Sequence, residues 1–263
     1  MNTNHTFAVC AYKESEYLEE CLQSLLNQTV KTNIVLATST PNDFIESLCK
    51  KYDIPMYVNE GESGITQDWN FAYSKADTDY VTIAHQDDVY EKEYVECLLE
   101  EISKVKKPLI FFTDYYEIRD GIKIHSNRLL NIKRIMLFPL RTKLFWNSVF
   151  VRRRILSIGS PICCPSVTIA KNNCPEVIFK NRFRSNEDWE AWEELSKLKG
   201  AFVYSTKRLV CHRIHEDSET SKIIGDNARS LEDYAMFKKF WPDVIAKKLA
   251  KIYSASEKSN NLK

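Results

Sequence analysis

The sequence predicts an α/β protein in which a mostly parallel sheet is flanked by helices. In the first ~115 residues, short apolar runs alternate with segments whose apolar residues recur at helical spacing. Short polar loops join these segments, which is typical of parallel strands connected by right-handed helical crossovers. The chain has 263 residues, 44% of them hydrophobic, and can therefore form a core of ordinary size.

The elements of the first half follow in regular order. Apolar runs predict five strands, at residues 7–11, 34–37, 56–58, 80–84 and 109–113. Apolar residues at helical spacing predict intervening helices at residues 18–25, 44–52, 69–76 and 91–104. Pro41 is expected at the first helical position of the second helix. Thr40 and Asp43 also fit a capping box for that helix.

Beyond residue 115 the periodicity is harder to interpret. We expect one or two helices within 129–159, a capped helix at 185–199 and an amphipathic helical tail at 226–253. Strands are expected at 167–170, 202–204 and 208–214. We divide the chain into an α/β half (1–115), a second half of the same domain (116–225) and a C-terminal helical extension (226–263).

The net charge of +1 conceals a strong asymmetry along the chain. Residues 1–120 carry 22 acidic and 10 basic side chains, whereas residues 121–184 carry 1 acidic and 13 basic. Such a basic block indicates a surface that faces phosphates or an anionic membrane, or an ordinary solvated face. Nucleic acid is not expected as a partner, because no helix-turn-helix, zinc-finger or RNP-type pattern accompanies the charge.

Two further observations indicate a cytoplasmic protein. No apolar run approaches the ~18 residues that span a bilayer, and the first residues lack the basic and apolar parts of a signal peptide. The eight cysteines show no CxxC spacing, so we expect reduced and mostly buried thiols. Peripheral contact with the inner face of an anionic membrane is an open alternative, given the basic block.

A polar loop follows the predicted strand at residues 80–84. It contains His85, Gln86, Asp87 and Asp88. In open α/β sheets such loops line the ligand crevice, and carboxylates there can hold Mg²⁺ or Mn²⁺ together with phosphate oxygens. Asp87 and Asp88 therefore predict a ligand that carries a diphosphate. The alternative is that the two aspartates cap the next helix.

Two other groups carry chemistry at element ends. Glu187 and Asp188 open a predicted helix, where they either stabilise the helix dipole or act as a general base. His212, Arg213 and His215 end a strand-like run and could bind a metal or a phosphate, although isolated histidines are more often structural. Because alternate residues of a strand share a face, we expect Arg213 and His215 to point into the site rather than His212.

Four segments in this order resemble a family 2 glycosyltransferase of the GT-A fold, over roughly residues 5–215. They are FAVCAYKESEYLEECLQSLLNQT, IVLATSTPND, VNEGESGITQDWNFAYSKADTDYVTIAHQDD and NEDWEAWEEL. The resemblance implies a Rossmann-like GT-A sheet and an inverting, metal-dependent transfer from a nucleotide-diphosphate sugar to a hydroxyl acceptor. It assigns nucleotide-sugar binding to residues 1–115 and acceptor binding and catalysis to 116–225. A glycan or lipid-linked glycan is the implied acceptor, in bacterial surface polysaccharide or glycan synthesis.

The resemblance also implies roles for single residues. Mn²⁺ or Mg²⁺ would bind Asp87, with Asp88 beside it and His215 or His212 completing the site. Asp188 would be the general base, with Glu187 next to it. The residues placed on the nucleotide-sugar side are Tyr12, Glu14, Thr38, Asn70, His85, Gln86 and Arg213.

Three positions depart from the family pattern. His85 stands where the first acid of the DxD-type loop is expected. Thr38 and Ser39 replace paired aspartates, and Trp69 replaces an arginine before Asn70. The nucleotide base and the donor sugar are therefore left open.

Two other functions are considered. A nucleotidyltransferase would also pair a metal-binding carboxylate with a parallel sheet, but the AYKESE turn lacks the glycines of a phosphate loop. A non-catalytic nucleotide-sugar-binding protein of the same fold is the other candidate. For the transferase, we expect Arg152, Arg153 and Arg154 to face an acceptor carried on a membrane lipid, with the tail helix as a second contact.

Overall fold

The computed structural model describes residues 3–215 and 228–260. Its strands are β1 (His5–Ala11), β2 (Asn33–Thr38), β3 (Met56–Val58), β4 (Tyr80–His85), β5 (Val89–Tyr90), β6 (Pro108–Arg119), β7 (Ile122–Ile124), β8 (Val167–Ala170) and β9 (Ala201–Ile214). Its helices are α1 (Leu18–Leu26), α2 (Asp43–Tyr52), α3 (Ile65–Ser74), α4 (Tyr94–Ile102), α5 (Arg128–Met136), α6 (Val149–Leu156), α7 (Glu187–Leu195), α8 (Ala228–Lys238) and α9 (Asp243–Asn260). The strands form one sheet in the order β3-β2-β1-β4-β8-β6-β9-β5, with β7 paired to β6.

The first half confirms the predicted alternation of strands and helices. Strands β3, β2, β1 and β4 are parallel neighbours. Strand β1 is almost wholly buried, as expected of a parallel strand with helices on both faces. Helix α1 packs the apolar stripe that its spacing predicted, namely Leu18, Cys21, Leu22 and Leu25. These four strands place their carboxyl ends at one edge of the sheet.

Two helix starts differ from expectation. Helix α2 begins at Asp43, and the side chain of Asn42 caps it by accepting from Ile45 N at 2.9 Å. Pro41 therefore precedes the cap, and the expected capping box is wrong because the Thr40 hydroxyl accepts from Lys13 N instead. Helix α4 begins only at Tyr94, too far along the chain for Asp87 or Asp88 to cap it.

The second half of the sheet is mixed. Strand β6, of 12 residues, pairs in parallel with strand β9, of 14 residues. Strand β8 lies antiparallel between β4 and β6. The two strands expected at 202–204 and 208–214 are one strand, β9, with register shifts against β6 in between. Strand β5 pairs antiparallel with β9, so the loop between β4 and β5 lies beside the end of β9.

The arginines of α6 mostly face inward. Arg152 is 1% exposed, and its guanidinium donates to the carbonyl oxygens of Ser196, Leu198 and Gly200. The last carbonyls of a helix lack partners within it, so Arg152 satisfies the end of α7. Arg153 pairs with the buried Glu193 at 2.8 Å. The expectation that these two arginines face an acceptor is therefore wrong, and only Arg154 is exposed.

The C-terminal extension consists of two helices in the described residues, α8 and α9, which pack on each other. Residues 226–227 of the predicted tail lie outside the described part. Within that part, no helix is both long and apolar enough to cross a membrane. All eight cysteines are free thiols, as expected. Strand β6 passes through residue 115, so the two halves share one sheet, and their boundary remains a prediction.

Candidate active site

The polar loop after β4 lies at the carboxyl edge of the sheet. Its first residue, His85, pairs in register with Cys10 near the end of β1. On the far side of the loop, Val89 of β5 pairs with Cys211 of β9. Continuing that antiparallel register places Asp88 beside His212. The loop therefore joins the carboxyl end of the parallel half to the end of β9.

Both aspartates of the loop contact the end of β9. Asp88 Oδ1 accepts from the backbone N of Arg213 at 2.9 Å and lies 3.0 Å from His212 Nδ1. Asp87 Oδ2 lies 3.0 Å from His215 Nε2. The expectation that His212 points away is wrong, because the pairing of β5 with β9 brings Asp88 to it. Both histidines, 124 or more residues along the chain, thus reach the loop.

Arg213 holds this loop in place. Its Nε donates to Asp87 O at 2.9 Å, its Nη2 pairs with Glu20 of α1, and its guanidinium lies 4.3 Å from the centroid of the Tyr17 ring. The side chain is 8% exposed in total. These contacts give the guanidinium a structural role at the loop, and its expected contact with phosphate stays a prediction. Sequence reasoning missed Glu20, which looked like an ordinary surface acid of α1.

His85, Asp87 and Asp88 offer ligand atoms that all lie within 4.8 Å of one another. Asp88 is fully buried, and in the described residues its Oδ2 and His85 Nε2 have no hydrogen-bond partner. A buried carboxylate oxygen without a partner is costly, and a divalent cation would satisfy it. These residues therefore fit Mn²⁺ or Mg²⁺. The structure places His85 with the carboxylates, where the sequence had put it on the nucleotide-sugar side.

The electrostatics of the loop keep Asp87 ionised. Burial alone would raise its pKa, but the hydrogen bond from His215 and the charges of His85 and His212 outweigh burial and hold that pKa below its usual range. Burial lowers the pKa of His85, although both aspartates oppose it. A neutral imidazole keeps a lone pair for a metal. The loop thus combines an ionised carboxylate with an imidazole whose pKa burial lowers.

Asp188 lies in the first turn of α7, in different surroundings. Its Oδ1 accepts from Trp189 N at 2.6 Å. Burial raises the pKa of Asp188 above the ordinary value, against the opposing hydrogen bond from Trp189 N and the charges of Lys133 and Arg229. A carboxylate with a raised pKa accepts a proton more readily, which suits a general base. The neighbouring Glu187 is 6% exposed, and its role stays a prediction.

The pKa of the Cys163 thiol responds to both acidic groups. Burial raises the pKa of its thiol, and the charges of Asp88 and Asp188 raise it further. Because charge effects weaken with distance, this shared influence on the pKa agrees with a common region for Asp88 and Asp188. Cys164 likewise feels the charge of Asp188. Tyr90 of β5 donates to Pro165 O at 2.6 Å, so the short 3-10 turn at Cys164–Ser166 lies next to the strand that follows the metal loop.

Lys133 is a site residue that sequence reasoning missed. Its Nζ donates to the Tyr115 hydroxyl at 2.9 Å, and the Tyr115 ring lies 6.4 Å from that of His212. Within the described parts of the chain, Lys133 forms no ion pair with a carboxylate. Its position inside a basic stretch gave no signal, because only the packing of α5 shows which cation of that stretch turns inward.

The loop after β1 is fastened to the metal loop. Tyr12 N donates to Gln86 Oε1 at 2.9 Å, and Gln86 Nε2 donates to Tyr12 O at 3.1 Å. The Gln86 amide therefore positions a backbone segment, and its contact with the nucleotide sugar stays a prediction. Tyr12 and Glu14 are exposed beside it. Their contact with a nucleotide base stays a prediction.

Two other residues expected on the nucleotide-sugar side are structural. The Asn70 amide accepts from Phe179 N at 3.1 Å and donates to Phe179 O at 2.7 Å, so it anchors the segment before α7. Thr38 is 1% exposed, and its hydroxyl accepts from Thr40 N. These bonds give both side chains structural roles, and their expected contacts with the nucleotide sugar stay predictions.

Two of the positions that depart from the family pattern, Trp69 and His85, contact each other. The Trp69 ring stacks on that of His85, with centroids 5.0 Å apart and planes at 14°. On the other side of α3, Asp68 accepts from Ser39 Oγ at 2.7 Å and from Asn59 Nδ2 at 2.8 Å. Sequence reasoning missed Asp68, whose carboxylate stands next to Ser39, one of the positions where the family has aspartates.

Comparison with known proteins agrees with this architecture. The family model described as "Glycosyl transferase family 2" matches residues 6–169. Glycosyltransferase GlyA of Streptococcus pneumoniae serotype 4 is 28% identical over 121 residues, which are 44% of this chain and 17% of GlyA. Glycosyltransferase GlyG of the same organism is 25% identical over 117 residues, 42% of this chain and 39% of GlyG. The matched regions span less than half the length of either relative.

Two solved structures share the fold. Residues 1–349 of S. aureus TarS, in complex with UDP-GlcNAc, match with a TM-score of 0.62 and 15% identity over 94% of this chain and 70% of that chain. The mannosyltransferase PcManGT from Pyrobaculum calidifontis, in complex with GDP-Man and Mn²⁺, matches with a TM-score of 0.61 and 11% identity over 95% and 69%. The sheet with its flanking helices therefore has the GT-A fold, and the C-terminal helices extend it.

Proposed function

The chain belongs to glycosyl transferase family 2, and from this premise we propose that it is an inverting, metal-dependent glycosyltransferase. It moves a sugar from a nucleotide-diphosphate sugar to a hydroxyl group of a glycan or lipid-linked glycan, in the synthesis of a bacterial surface polysaccharide or other glycan. The observation that carries the proposal is the loop of His85, Asp87 and Asp88, which contacts His212 and His215 and offers three ligand atoms within 4.8 Å of one another. Asp87 is held ionised among histidines, whereas burial raises the pKa of Asp188.

Asp87, Asp88 and His85 would hold the cation, Mn²⁺ or Mg²⁺. His215 or His212 would complete the site through the aspartates they already contact. When bound, the cation would neutralise negative charge on the diphosphate. Arg213 and Glu20 keep the loop in position, and Glu187 lies beside the base.

Asp188 is the residue that takes the proton. As the acceptor oxygen bonds to the anomeric carbon, its O–H proton passes to the Asp188 carboxylate. The bond from the anomeric carbon to the diphosphate oxygen breaks with its electron pair, so the nucleoside diphosphate leaves. Attack from the side opposite the leaving group inverts the configuration. Lys133, near Asp188 and without a described carboxylate partner, adds positive charge where phosphate charge develops.

The donor-side residues in this proposal are Tyr12 and Glu14 at the exposed end of β1, together with the stacked pair of Trp69 and His85. The two neighbours with the same fold carry UDP-GlcNAc and GDP-Man, so the fold accommodates either base. The eight free thiols support a reducing compartment, and we place the enzyme in the cytoplasm.

A screen with nucleotides tests this proposal. Thermal shifts are measured with each common nucleoside diphosphate, with and without Mn²⁺, and the corresponding nucleotide sugars are then incubated with the protein. We expect one nucleotide to stabilise the protein in a Mn²⁺-dependent manner, with slow release of nucleoside diphosphate from its sugar. Release of pyrophosphate would indicate a nucleotidyltransferase. Binding without any turnover would indicate a non-catalytic binding protein.

A further inference from the structure

One surface of the second half exposes apolar side chains among cations. Residues 121–175 include ten basic residues and no acidic residue. Between residues 135 and 158, five large apolar side chains are exposed at fractions between 48% and 79%, namely those of Ile135, Phe138, Leu144, Phe150 and Ile158. We call these five side chains and the exposed cations between them the basic–apolar face. Monomeric proteins rarely expose apolar side chains in such a cluster.

Contacts connect the members of this face. The Arg141 guanidinium lies 5.5 Å from the Phe138 ring centroid, and that of Arg154 lies 5.8 Å from the Phe150 ring centroid. Lys143, which lies between the two pairs in sequence, is also exposed. Each aromatic ring of the face therefore has a cation beside it, as at surfaces that meet a lipid headgroup layer.

The ends of α5 and α6 meet at the same place. A Cβ at Gly159 would lie 3.4 Å from Met136 Cε, so the segment after α6 packs against the end of α5. Ile158 and Ile135, the chain neighbours of these two residues, are exposed beside that contact. The face thus runs from α5 through two 3-10 turns, Phe138–Arg141 and Lys143–Phe145, to α6.

We propose that the basic–apolar face docks this protein on an anionic lipid bilayer. The cations would be attracted to anionic headgroups, and the five apolar side chains would enter the interfacial layer. A second copy of the chain is a poorer occupant, because a symmetric contact would bring these cations against one another. The inference rests on the proposed function for its purpose, since a lipid-linked acceptor is presented at such a surface.

The position of the face relative to the site fits that purpose. Helix α5 turns Lys133 inward to Tyr115, near the active site, and exposes Ile135 on its outer side. A lipid-linked acceptor could therefore extend from the bilayer past α5 to Asp188. Of the three arginines of α6, only Arg154 takes part, because Arg152 and Arg153 are bonded within the fold.

Flotation with vesicles tests the docking surface. The full chain is mixed with vesicles of phosphatidylcholine alone or with about one quarter phosphatidylglycerol, and the bound fraction is measured at low and high salt. We expect binding to the anionic vesicles only, weakened by salt. The double variant Leu144→Ser/Phe150→Ser should bind at least about tenfold more weakly, because both side chains lose their apolar contact. Arg141→Gln should bind about fivefold more weakly.

Val177→Ser is the matched control. Val177 is 60% exposed but precedes Ile178, which α3 anchors through Asn70, so it lies away from the face. Absence of vesicle binding, equal binding of the double variant, or salt-independent binding to neutral vesicles would overturn the proposal. So would a wild-type dimer that the double variant converts to a monomer. Nucleotide-sugar hydrolysis by the double variant should equal that of the wild type, which separates this test from that of the reaction.

Discussion

Asp87 and Asp188 are the same side chain in two different regions of one site. Around Asp87 stand three histidines, and their hydrogen bonding and charge hold its pKa down despite burial. Around Asp188 stand the thiols of Cys163 and Cys164, and burial dominates and raises its pKa. The comparison teaches that the surroundings, rather than the residue type, set the pKa of a carboxylate, and the proposed roles of cation ligand and proton acceptor follow from this difference.

The two regions are also assembled differently. The metal loop is completed by residues 124 or more positions away, which the pairing of β5 with β9 brings to it. The base is placed by a local feature, the first turn of α7. Substitutions that disturb the pairing of β5 with β9 should therefore affect the cation site. Substitutions near the start of α7 should affect proton transfer instead.

The largest effect is expected from Asp188→Asn. The amide cannot accept the proton of the acceptor hydroxyl, so kcat should fall by about 10³-fold, while nucleoside diphosphate binding changes little. Steady-state kinetics and calorimetric titration would measure the two quantities. Asp43→Asn is the control, because Asp43 is an exposed carboxylate in the first turn of α2. Normal turnover by the Asp188 variant would assign the base elsewhere.

Asp87→Ala should act on binding instead. Loss of an ionised ligand should weaken Mn²⁺-dependent binding of the nucleoside diphosphate by about 100-fold, with little change in metal-free binding. Calorimetry with and without Mn²⁺ gives both values. Asp77→Ala removes an exposed carboxylate ahead of β4 and serves as the control. Equal losses with and without the metal would show that Asp87 supports the loop only.

A smaller effect is expected from Gln86→Ala. The variant loses two hydrogen bonds to the backbone of Tyr12, each worth about 1 kcal/mol at most, so the loop after β1 loosens. The KM for the nucleotide sugar should rise about fivefold, with kcat nearly constant. Gln23→Ala on α1 removes a side-chain hydrogen bond remote from that loop and is the control. A fall in kcat at constant KM would contradict a positioning role.

The finest test concerns the pH dependence of the base. Asp188 must be ionised to accept a proton, so activity falls as the pH drops through its pKa, which lies above that of an ordinary aspartate. The charge of Lys133 lowers that pKa, so Lys133→Met should move the acid limb of kcat/KM to higher pH. Lys50→Met, at an exposed position of α2, should leave the limb in place. A shift to lower pH would exclude Lys133 as a neighbour of the base.

Much of the fold could be predicted from local pattern. The strands and helices of the first half follow from period and length, because a buried parallel strand and an amphipathic helix each need a distinctive spacing of apolar residues. The second half was less predictable. The sequence predicts two strands where the structure has the single strand β9. The break between them falls near residues 205–208, where register shifts interrupt the pairing of β9 with β6. The arginines of α6 looked exposed, although Arg152 satisfies the carbonyls that end α7.

The candidate site divides in the same way. Asp87, Asp88, Asp188 and His215 were predicted, since acids and histidines at element ends are visible in the sequence. The hydrogen bonds of Gln86, Asn70 and Arg213 were not, because their partners lie 74 or more positions away along the chain. Thr38 bonds locally, to Thr40 N. Glu20, Asp68 and Lys133 were missed because each resembles an ordinary surface charge until its partner is known.

The sequence by itself determined the α/β class, the family and the positions of the acidic pairs, because these depend on spacing along the chain and on residue type. Only the tertiary structure decided that His85 joins the carboxylates, that His212 reaches Asp88 and that Asp87 and Asp188 differ in pKa. Hydrogen bonds, burial and charge act between residues that are close in space, and proximity across 100 or more positions is set by the pairing of β5 with β9 and of β6 with β9.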